Sequence, residues 1–219
     1  MIWALGILTW NEPATCARTL EALRAGISGP ARIVVLDNGS DVPFTDSSVE
    51  IVREPKNLGA GGGLSALVRH VLTLPIEALL FVEDDWRLER PLALSTLDAL
   101  LGEPDVGQVR LAMRPASPRL SYYTYGLTGT DARDAAAFAT APLFAYAGGH
   151  YQRIRSLWSN NPFACRRDVA ERFLLTGWDE KRMARPYYAA GLTTIATTPG
   201  HFRHPGAIRD RRGKPGWRK

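Results

Sequence analysis

What this chain lacks narrows its function before any motif is read. No apolar run approaches the roughly 20 residues that a membrane-spanning helix needs. The first residues show neither a basic segment nor a small-residue cleavage site. The expectation is a chain without a signal peptide, cytoplasmic or peripheral at a membrane surface. Only two cysteines occur, Cys16 and Cys165, far apart and without metal-ligand spacing. That fits reduced thiols rather than a disulfide framework or a thiolate metal centre. Repeats and low-complexity segments are absent. So is a broad excess of positive charge. The net charge is +5, but residues 209–219 alone hold six basic side chains against the single acid Asp210. The rest of the chain is formally neutral, which argues against a wide nucleic-acid-binding face. The glycine run Gly59-Ala60-Gly61-Gly62-Gly63 has leucine at position 64, where a dinucleotide-binding G-x-G-x-x-G needs glycine. No Gly-Lys-Ser/Thr follows it to make a P-loop.

What remains is a chain of 219 residues, 45% hydrophobic and 22% charged, of the size and composition of a globular domain. Ile2 to Leu8 reads as a buried strand, broken by Thr9-Trp10-Asn11-Glu12-Pro13. Pro13 suits the first turn of a helix, with Asn11 as a possible cap. Leu20, Leu23 and Ile27 continue that helix to Gly29-Pro30. Arg32 to Leu36 and Val49 to Val52 read as strands. The glycine run leads into a helix with Leu67, Val68, Val71 and Leu72 on one face. Ile76 to Val82 is a strand, Pro91 to Leu101 a helix closed by Gly102, and Val106 to Ala112 a strand. This alternation predicts an α/β fold with a mostly parallel sheet. Residues 113–204 are less regular. Short strands are expected near Tyr122–Tyr125 and Pro142–Tyr146, helices over Phe163–Leu175 and Asp179–Ala190, and a last strand over Leu192–Thr197.

The chemistry gathers where strands end. Val82 runs into Glu83-Asp84-Asp85, three adjacent carboxylates that repel one another unless solvated or neutralised by a cation. Hard oxygen ligands at a strand's carboxyl end suit Mg²⁺ or Mn²⁺, ions that often also hold a substrate's phosphates. Parallel α/β sheets bind ligands at that edge, and Thr9–Glu12 and Asp37–Ser40 share it. Asp37 there can accept from a base or ribose, or cap its own turn. The glycines suit close approach of backbone to a ligand or a neighbouring strand. His201 and His204 follow the last strand, where a histidine can add a nitrogen ligand. Asp179 and Glu180 open a helix, where acids are favoured by the helix dipole or can serve as a general base. Tyr122, Tyr123, Tyr125 and Trp158 offer rings for stacking or for packing.

Taken as an ordered set, Thr9-Trp10-Asn11-Glu12, Val34 to Ser40, Asn57-Leu58-Gly59, Val82 to Asp85, Asp179-Glu180 and His204-Pro205-Gly206 resemble a family 2-like inverting glycosyltransferase with the GT-A fold. The resemblance spans nearly the whole chain. It implies a single GT-A domain: a Rossmann-like nucleotide-binding sheet over residues 1–112, a less regular acceptor-side and catalytic half over 113–204, and a basic mobile tail from 205. It implies transfer of a sugar, most often from a UDP-sugar, to a hydroxyl of a saccharide or glycolipid. Thr9, Asn11, Glu12, Asp37, Asn57, Gly61, Glu83 and Asp84 would then line the donor site. Asp85, Glu83 and His204 would hold Mn²⁺ or Mg²⁺. Glu180 falls where the family's base falls, with Asp179 beside it in a Glu-for-Asp departure from the usual pair. Trp158, Asn160 and Asn161 would face the acceptor, and Arg203, Arg209, Arg211 or Arg212 would close over the diphosphate.

Three other readings remain. The basic tail allows a modified base in DNA as acceptor. A nucleotide- and sugar-binding module that lost catalysis would keep the same fold. Nucleotidyl transfer would call for a glycine-rich basic loop after the first strand, where Thr9-Trp10-Asn11-Glu12-Pro13 stands instead.

Overall fold

The computed structural model describes residues 1–112, 141–154, 158, 162–175 and 180–204. Among these residues, nine strands form the central sheet: β1 (Trp3–Thr9), β3 (Ala31–Asp37), β4 (Glu50–Arg53), β5 (Ala78–Glu83), β8 (Val106–Arg110), β9 (Phe144–Tyr146), β10 (Gly149–Ile154), β11 (Phe163–Arg166) and β12 (Thr193–Thr198). Their order is β4-β3-β1-β5-β11-β8-β12-β10-β9. Two small ribbons add β2 (Ile27–Ser28) with β7 (Leu92–Ala93), and β6 (Arg87–Leu88) with β13 (Phe202–Arg203). β4, β3, β1 and β5 are mutually parallel, and β8 is parallel to β12. Within the sheet only β10 and β11 run against the common direction. The α/β class and mostly parallel sheet expected from the alternation are therefore what the chain adopts.

Helices cover both faces, which is why the strands read as near-continuous apolar runs. α1 (Pro13–Gly26) and α3 (Leu94–Leu101) bury Leu20, Leu23, Leu97 and Leu101 against Trp3, Leu5, Ile7 and Val82. α2 (Gly59–Val71), α4 (Arg167–Phe173) and α5 (Glu180–Ala189) cover the other face, around Leu67, Phe81, Phe163, Phe173 and Tyr187. α2 would be a poor helix by propensity, since each interior glycine costs about 1 kcal/mol relative to alanine. Packing explains Gly63: a Cβ there would lie 2.7 Å from Leu8 Cδ1 and 2.9 Å from Asn38 Nδ2. Of the two uses open to the glycine run, at this position it is close approach to neighbouring strands.

Several expected boundaries shift. α1 stops at Gly26, because Ile27 is drawn into pairing with Leu92. Asn11 does not cap it. Glu12 occupies that position, and its carbonyl accepts the Thr15 and Cys16 N–H groups at 3.0 and 2.9 Å. α3 begins at Leu94, since Leu92 and Ala93 are taken by β7. The largest correction is Phe163–Leu175. Phe163–Arg166 is not helical but forms β11, wedged antiparallel between β5 and β8, and α4 starts only at Arg167. Both strand neighbours are remote in sequence, so local periodicity could not reveal them. The expected strand near Tyr122–Tyr125 lies outside the described residues; that near Pro142–Tyr146 is β9.

Candidate active site at the carboxyl edge of the sheet

Register aligns the first polar residues. Arg53 pairs with Asp37, Asp37 with Thr9, and Leu8 with Glu83. Four strand ends thus finish on one row, and the loops beyond them are interlocked. Asn11, with φ at +54°, donates its N–H to Ser40 Oγ at 2.8 Å and its Nδ2 to Asp41 Oδ2 at 3.1 Å. Its Oδ1 accepts the Asp41 N–H at 2.7 Å.

Asp37 is fully buried. Its Oδ1 accepts the Ser40 N–H at 2.9 Å, and its Oδ2 accepts the Phe44 N–H at 3.2 Å and lies 3.4 Å from Arg53 Nη1. The turn-capping role, one of the two open to it, is the one its geometry shows. It does not face outward to a ribose as the resemblance implied. Arg53 also donates to the Ser40 carbonyl at 2.7 Å, so it braces the same loop. Gly39, at φ +72°, lets this loop lie against the next one: a Cβ would come within 2.2 Å of the Lys56 carbonyl carbon.

Asn38, to which the sequence reading gave no role of its own, ties the two loops together. Its Nδ2 donates to Asn57 Oδ1 at 3.0 Å and to the Gly59 carbonyl at 3.1 Å, and its Oδ1 accepts the Leu58 N–H at 3.1 Å. An asparagine in a turn sequence was visible, but its partners lie about twenty residues away. Asn57 also accepts the Gly59 N–H at 2.7 Å. Gly61, in the first turn of α2, is buried.

The three acids have separate fates. Asp84 accepts the Thr9 hydroxyl at 2.6 Å and the Trp10 N–H, so it pins the first loop rather than facing outward. Burial pushes its carboxyl up to about 7, the charges of Asp85 and Glu12 add to the rise, and the two donors oppose it. Asp85 leaves β5 in a turn closed by the Trp86 N–H on the Glu83 carbonyl at 3.2 Å. It meets His204 from the far end of the described chain: Nε2 lies 3.2 Å from Asp85 Oδ2, and the two side chains are 14% and 10% exposed. Trp86 supports the pair, its ring edge-on to His204 at 5.3 Å. Glu83 does not complete a trio, since no group of three metal-ligating side chains converges among the described residues. The pair still fits a hard divalent cation. Mg²⁺ typically takes only one or two protein carboxylates and fills its sphere with phosphate and water, and imidazole nitrogen is an acceptable partner for first-row ions.

The other histidine turns inward. His201 is buried, with Nδ1 3.0 and 3.3 Å from the carbonyls of Pro91 and Arg90 and Nε2 3.1 Å from the Tyr146 hydroxyl. Carbonyls only accept, so Nδ1 carries the proton. Burial holds the ring's pKa below its ordinary value, and the neutral ring then accepts the Tyr146 O–H at Nε2.

Trp158 is also corrected. It is fully buried, edge-on to Phe163 at 5.4 Å and to Tyr187 at 5.1 Å, and offers no stacking face to an acceptor. Arg203 is exposed and paired to Glu89 at 2.7 Å. Glu12 is half-buried, and its Oε2 accepts the Thr15 hydroxyl at 3.3 Å. Glu180 opens α5, but its side chain lies outside the described set, as do Asp179, Asn160, Asn161, Arg209, Arg211, Arg212 and the whole basic tail.

No protein-family model matches the chain, and no curated protein matches it in sequence. Solved structures do. The mannosyltransferase PcManGT from Pyrobaculum calidifontis, in complex with GDP-Man and Mn²⁺, is similar over 89% of this chain and 54% of its own, at 21% identity and a TM-score of 0.54. GalNAc-T7, with UDP, GalNAc and Mn²⁺, is similar over 93% of this chain and 44% of its own, at 12% identity and a TM-score of 0.63. S. aureus TarS 1-349, in complex with UDP, is similar over 93% of this chain and 60% of its own, at 14% identity and a TM-score of 0.56. The chain thus spans about half the length of these proteins. At these identities what they share with it is the fold, and that fold is GT-A. Among the described residues no helix is long and apolar enough to cross a membrane.

Proposed function

We propose that this chain is a glycosyltransferase, moving a sugar from a nucleotide-diphosphate sugar to a hydroxyl with the help of Mn²⁺ or Mg²⁺. The observation that carries the reading is the Asp85–His204 pair: two metal-competent side chains, 119 residues apart in sequence, 3.2 Å apart at the sheet edge where α/β folds bind ligands. The GT-A fold supports it. Three similar structures were solved with GDP-Man, with UDP and GalNAc, or with UDP, two of them with Mn²⁺.

Asp85 and His204 hold the cation in this reading, with Glu83 near enough along the chain to contact the donor or the ion's water. When bound, the cation offsets the charge that builds on the leaving diphosphate. Asn11, Glu12 and Asn57, half-buried on the interlocked loops, form the nucleotide side. Thr9, Asp37 and Asp84 shape that side from beneath, since their polar atoms are spent on the loops themselves. Glu180, with Asp179 beside it, takes the acceptor hydroxyl's proton as its oxygen attacks the anomeric carbon opposite the diphosphate, which inverts the configuration. Arg203 or the arginines of the tail close over the diphosphate. UDP is the favoured nucleotide, and a saccharide or lipid-linked saccharide the favoured acceptor, both by the family 2 resemblance.

The test is a thermal-shift screen of nucleoside diphosphates and nucleotide sugars with and without Mn²⁺. A ligand that binds only the folded chain raises Tm, by about 2.7 kcal/mol of added stability at a hundredfold excess over Kd. We expect a metal-dependent shift with one nucleotide sugar, abolished in Asp85→Ala. Glu180→Gln should keep the shift and lose transfer by at least about a hundredfold. A wild-type chain that shifts with no nucleotide sugar in the presence of Mn²⁺ would overturn the reading in favour of a fold that has lost its ligand.

A further inference from the structure

His204 is carried to Asp85 by a short segment that leaves β12 at Thr198, and the question is what holds that segment still. Its backbone is anchored on one side. The His201 and Phe202 N–H groups donate to the Leu111 carbonyl at 2.7 and 3.0 Å, and the His201 carbonyl accepts the Glu89 and Arg90 N–H groups at 2.9 and 3.3 Å. Phe202 is fully buried and pairs with Leu88 across the β6–β13 ribbon. The other side is held by one side chain of the β9–β10 hairpin and by Arg90 from the loop after β6. The Tyr146 hydroxyl, at the end of β9, reaches His201 Nε2 at 3.1 Å. Arg90 spans the same gap, donating Nη1 to the Pro199 carbonyl at 2.9 Å and Nη2 to the Gly148 carbonyl at 3.1 Å. Hairpin, segment and the loop after β6 therefore meet at one clasp, three residues before His204.

From this geometry we infer that Tyr146 and Arg90 are positioning residues for His204. Acting through His201 and Pro199, they hold the imidazole over Asp85 and so set the affinity of the site for its cation. This rests on the metal reading of the Asp85–His204 pair. Neither Tyr146 nor Arg90 touches that pair. Their effect passes through one buried ring, whose Nε2 is satisfied by the tyrosine hydroxyl, and through one backbone carbonyl. Loss of the hydroxyl leaves a buried acceptor unpaired, which favours rearrangement of the segment. Residues that orient a metal ligand without contacting the ion commonly govern affinity in this way. A hairpin of the less regular half is thereby made part of the metal site, so that an acceptor-side element tunes a donor-side one.

The test uses the full chain and Mn²⁺ alone, with free Mn²⁺ followed by electron paramagnetic resonance and the coupling of a ring nitrogen to bound Mn²⁺ followed by electron spin-echo modulation. The wild type should bind Mn²⁺ and show nitrogen coupling, both lost or strongly reduced in His204→Ala. Tyr146→Phe and Arg90→Gln should each weaken Mn²⁺ binding by about tenfold and diminish the nitrogen signal. Tyr151→Phe, on the same hairpin with its hydroxyl 3.4 Å from Glu103 Oε1, should leave both within about twofold of wild type, below the range expected for a residue that orients a ligand. Arg90→Gln keeps the proposal testable if Tyr146→Phe does not fold, because the Arg90 bond to Pro199 is made at an exposed position. Wild-type affinity and nitrogen coupling in Arg90→Gln or in folded Tyr146→Phe would overturn the positioning role and leave the metal reading standing. A wild-type chain whose Mn²⁺ binding is insensitive to His204→Ala would overturn both.

Discussion

His201 and His204 are three residues apart and do different work, and the difference is environmental. His204 stays near the surface beside a carboxylate, where a ring nitrogen can serve a cation. His201 is enclosed by two carbonyls, the Tyr146 hydroxyl and the Arg90 side chain, and burial lowers its pKa, with the Arg90 charge adding to the effect. The sign of its contribution to stability follows. Unfolded, the imidazole takes a proton near 6.5; folded, it resists. Below that pH the unfolded chain binds more protons, so stability falls as pH falls, and the His201 contribution is fully present only above about 6.5. Urea midpoints at pH 7.5 and 5.5 check this. Wild type should lose more stability on acidification than His201→Gln, and equal losses would mean that the ring does not resist protonation. The two cysteines show the same enclosure. Burial pushes Cys16 up to about 12 and raises Cys165 as well.

Among the elements, β11 does most to unite the two halves. It pairs with β5 through Phe163↔Phe81 and Cys165↔Leu79, and with β8 through Ala164↔Val109. A strand of the later part of the chain thereby sits beside the strand that carries the acids and links it to β8 and β12. Proline at a central strand position removes a ladder hydrogen bond on a strand with neighbours on both sides, whereas the first turn of a helix tolerates it. Ala164→Pro therefore separates the two assignments of this stretch. As strand, it should cost at least about 1–3 kcal/mol, since a buried ladder carbonyl is left unpaired, and lower the urea midpoint clearly. A variant with near wild-type urea midpoint would restore the helical assignment. α2 makes the complementary point, because its glycines are a weakness in an isolated helix while Gly63 is a requirement beside Leu8 of β1.

For the whole molecule, the sheet divides the core into two layers, and Cys16 and Cys165 lie on opposite sides of it. Both thiols are fully buried, so their reactivity reports on the integrity of each layer. At pH 8 neither should react with a thiol-directed disulfide reagent on the timescale of minutes, and both should react in denaturing guanidinium chloride. Rapid labelling of one thiol in the native chain would identify the layer that opens locally. The candidate site lies at one rim of this sandwich, where loops from β1, β3 and β5 meet the segment after β12. It is assembled from residues 9 to 204, so no sub-fragment is expected to carry it.

Much of this was legible in the chain as written. Strand and helix alternation specified the α/β class, because apolar period and turn residues are local properties. The acids after Val82 and the turn after Leu36 could be set at strand ends for the same reason. The GT-A resemblance followed from the order of short motifs, each weak alone. Tertiary structure decided what depended on distant neighbours. Phe163–Arg166 became a strand because β5 and β8 flank it. Trp158 became core because Phe163 and Tyr187 enclose it. Asp37 and Asp84, acids at a binding edge in sequence, were turned inward by the N–H and hydroxyl donors of adjacent loops. Between two nearby histidines, only the tertiary structure could choose the one beside Asp85, because the choice rests on a contact across 119 residues that no local pattern encodes.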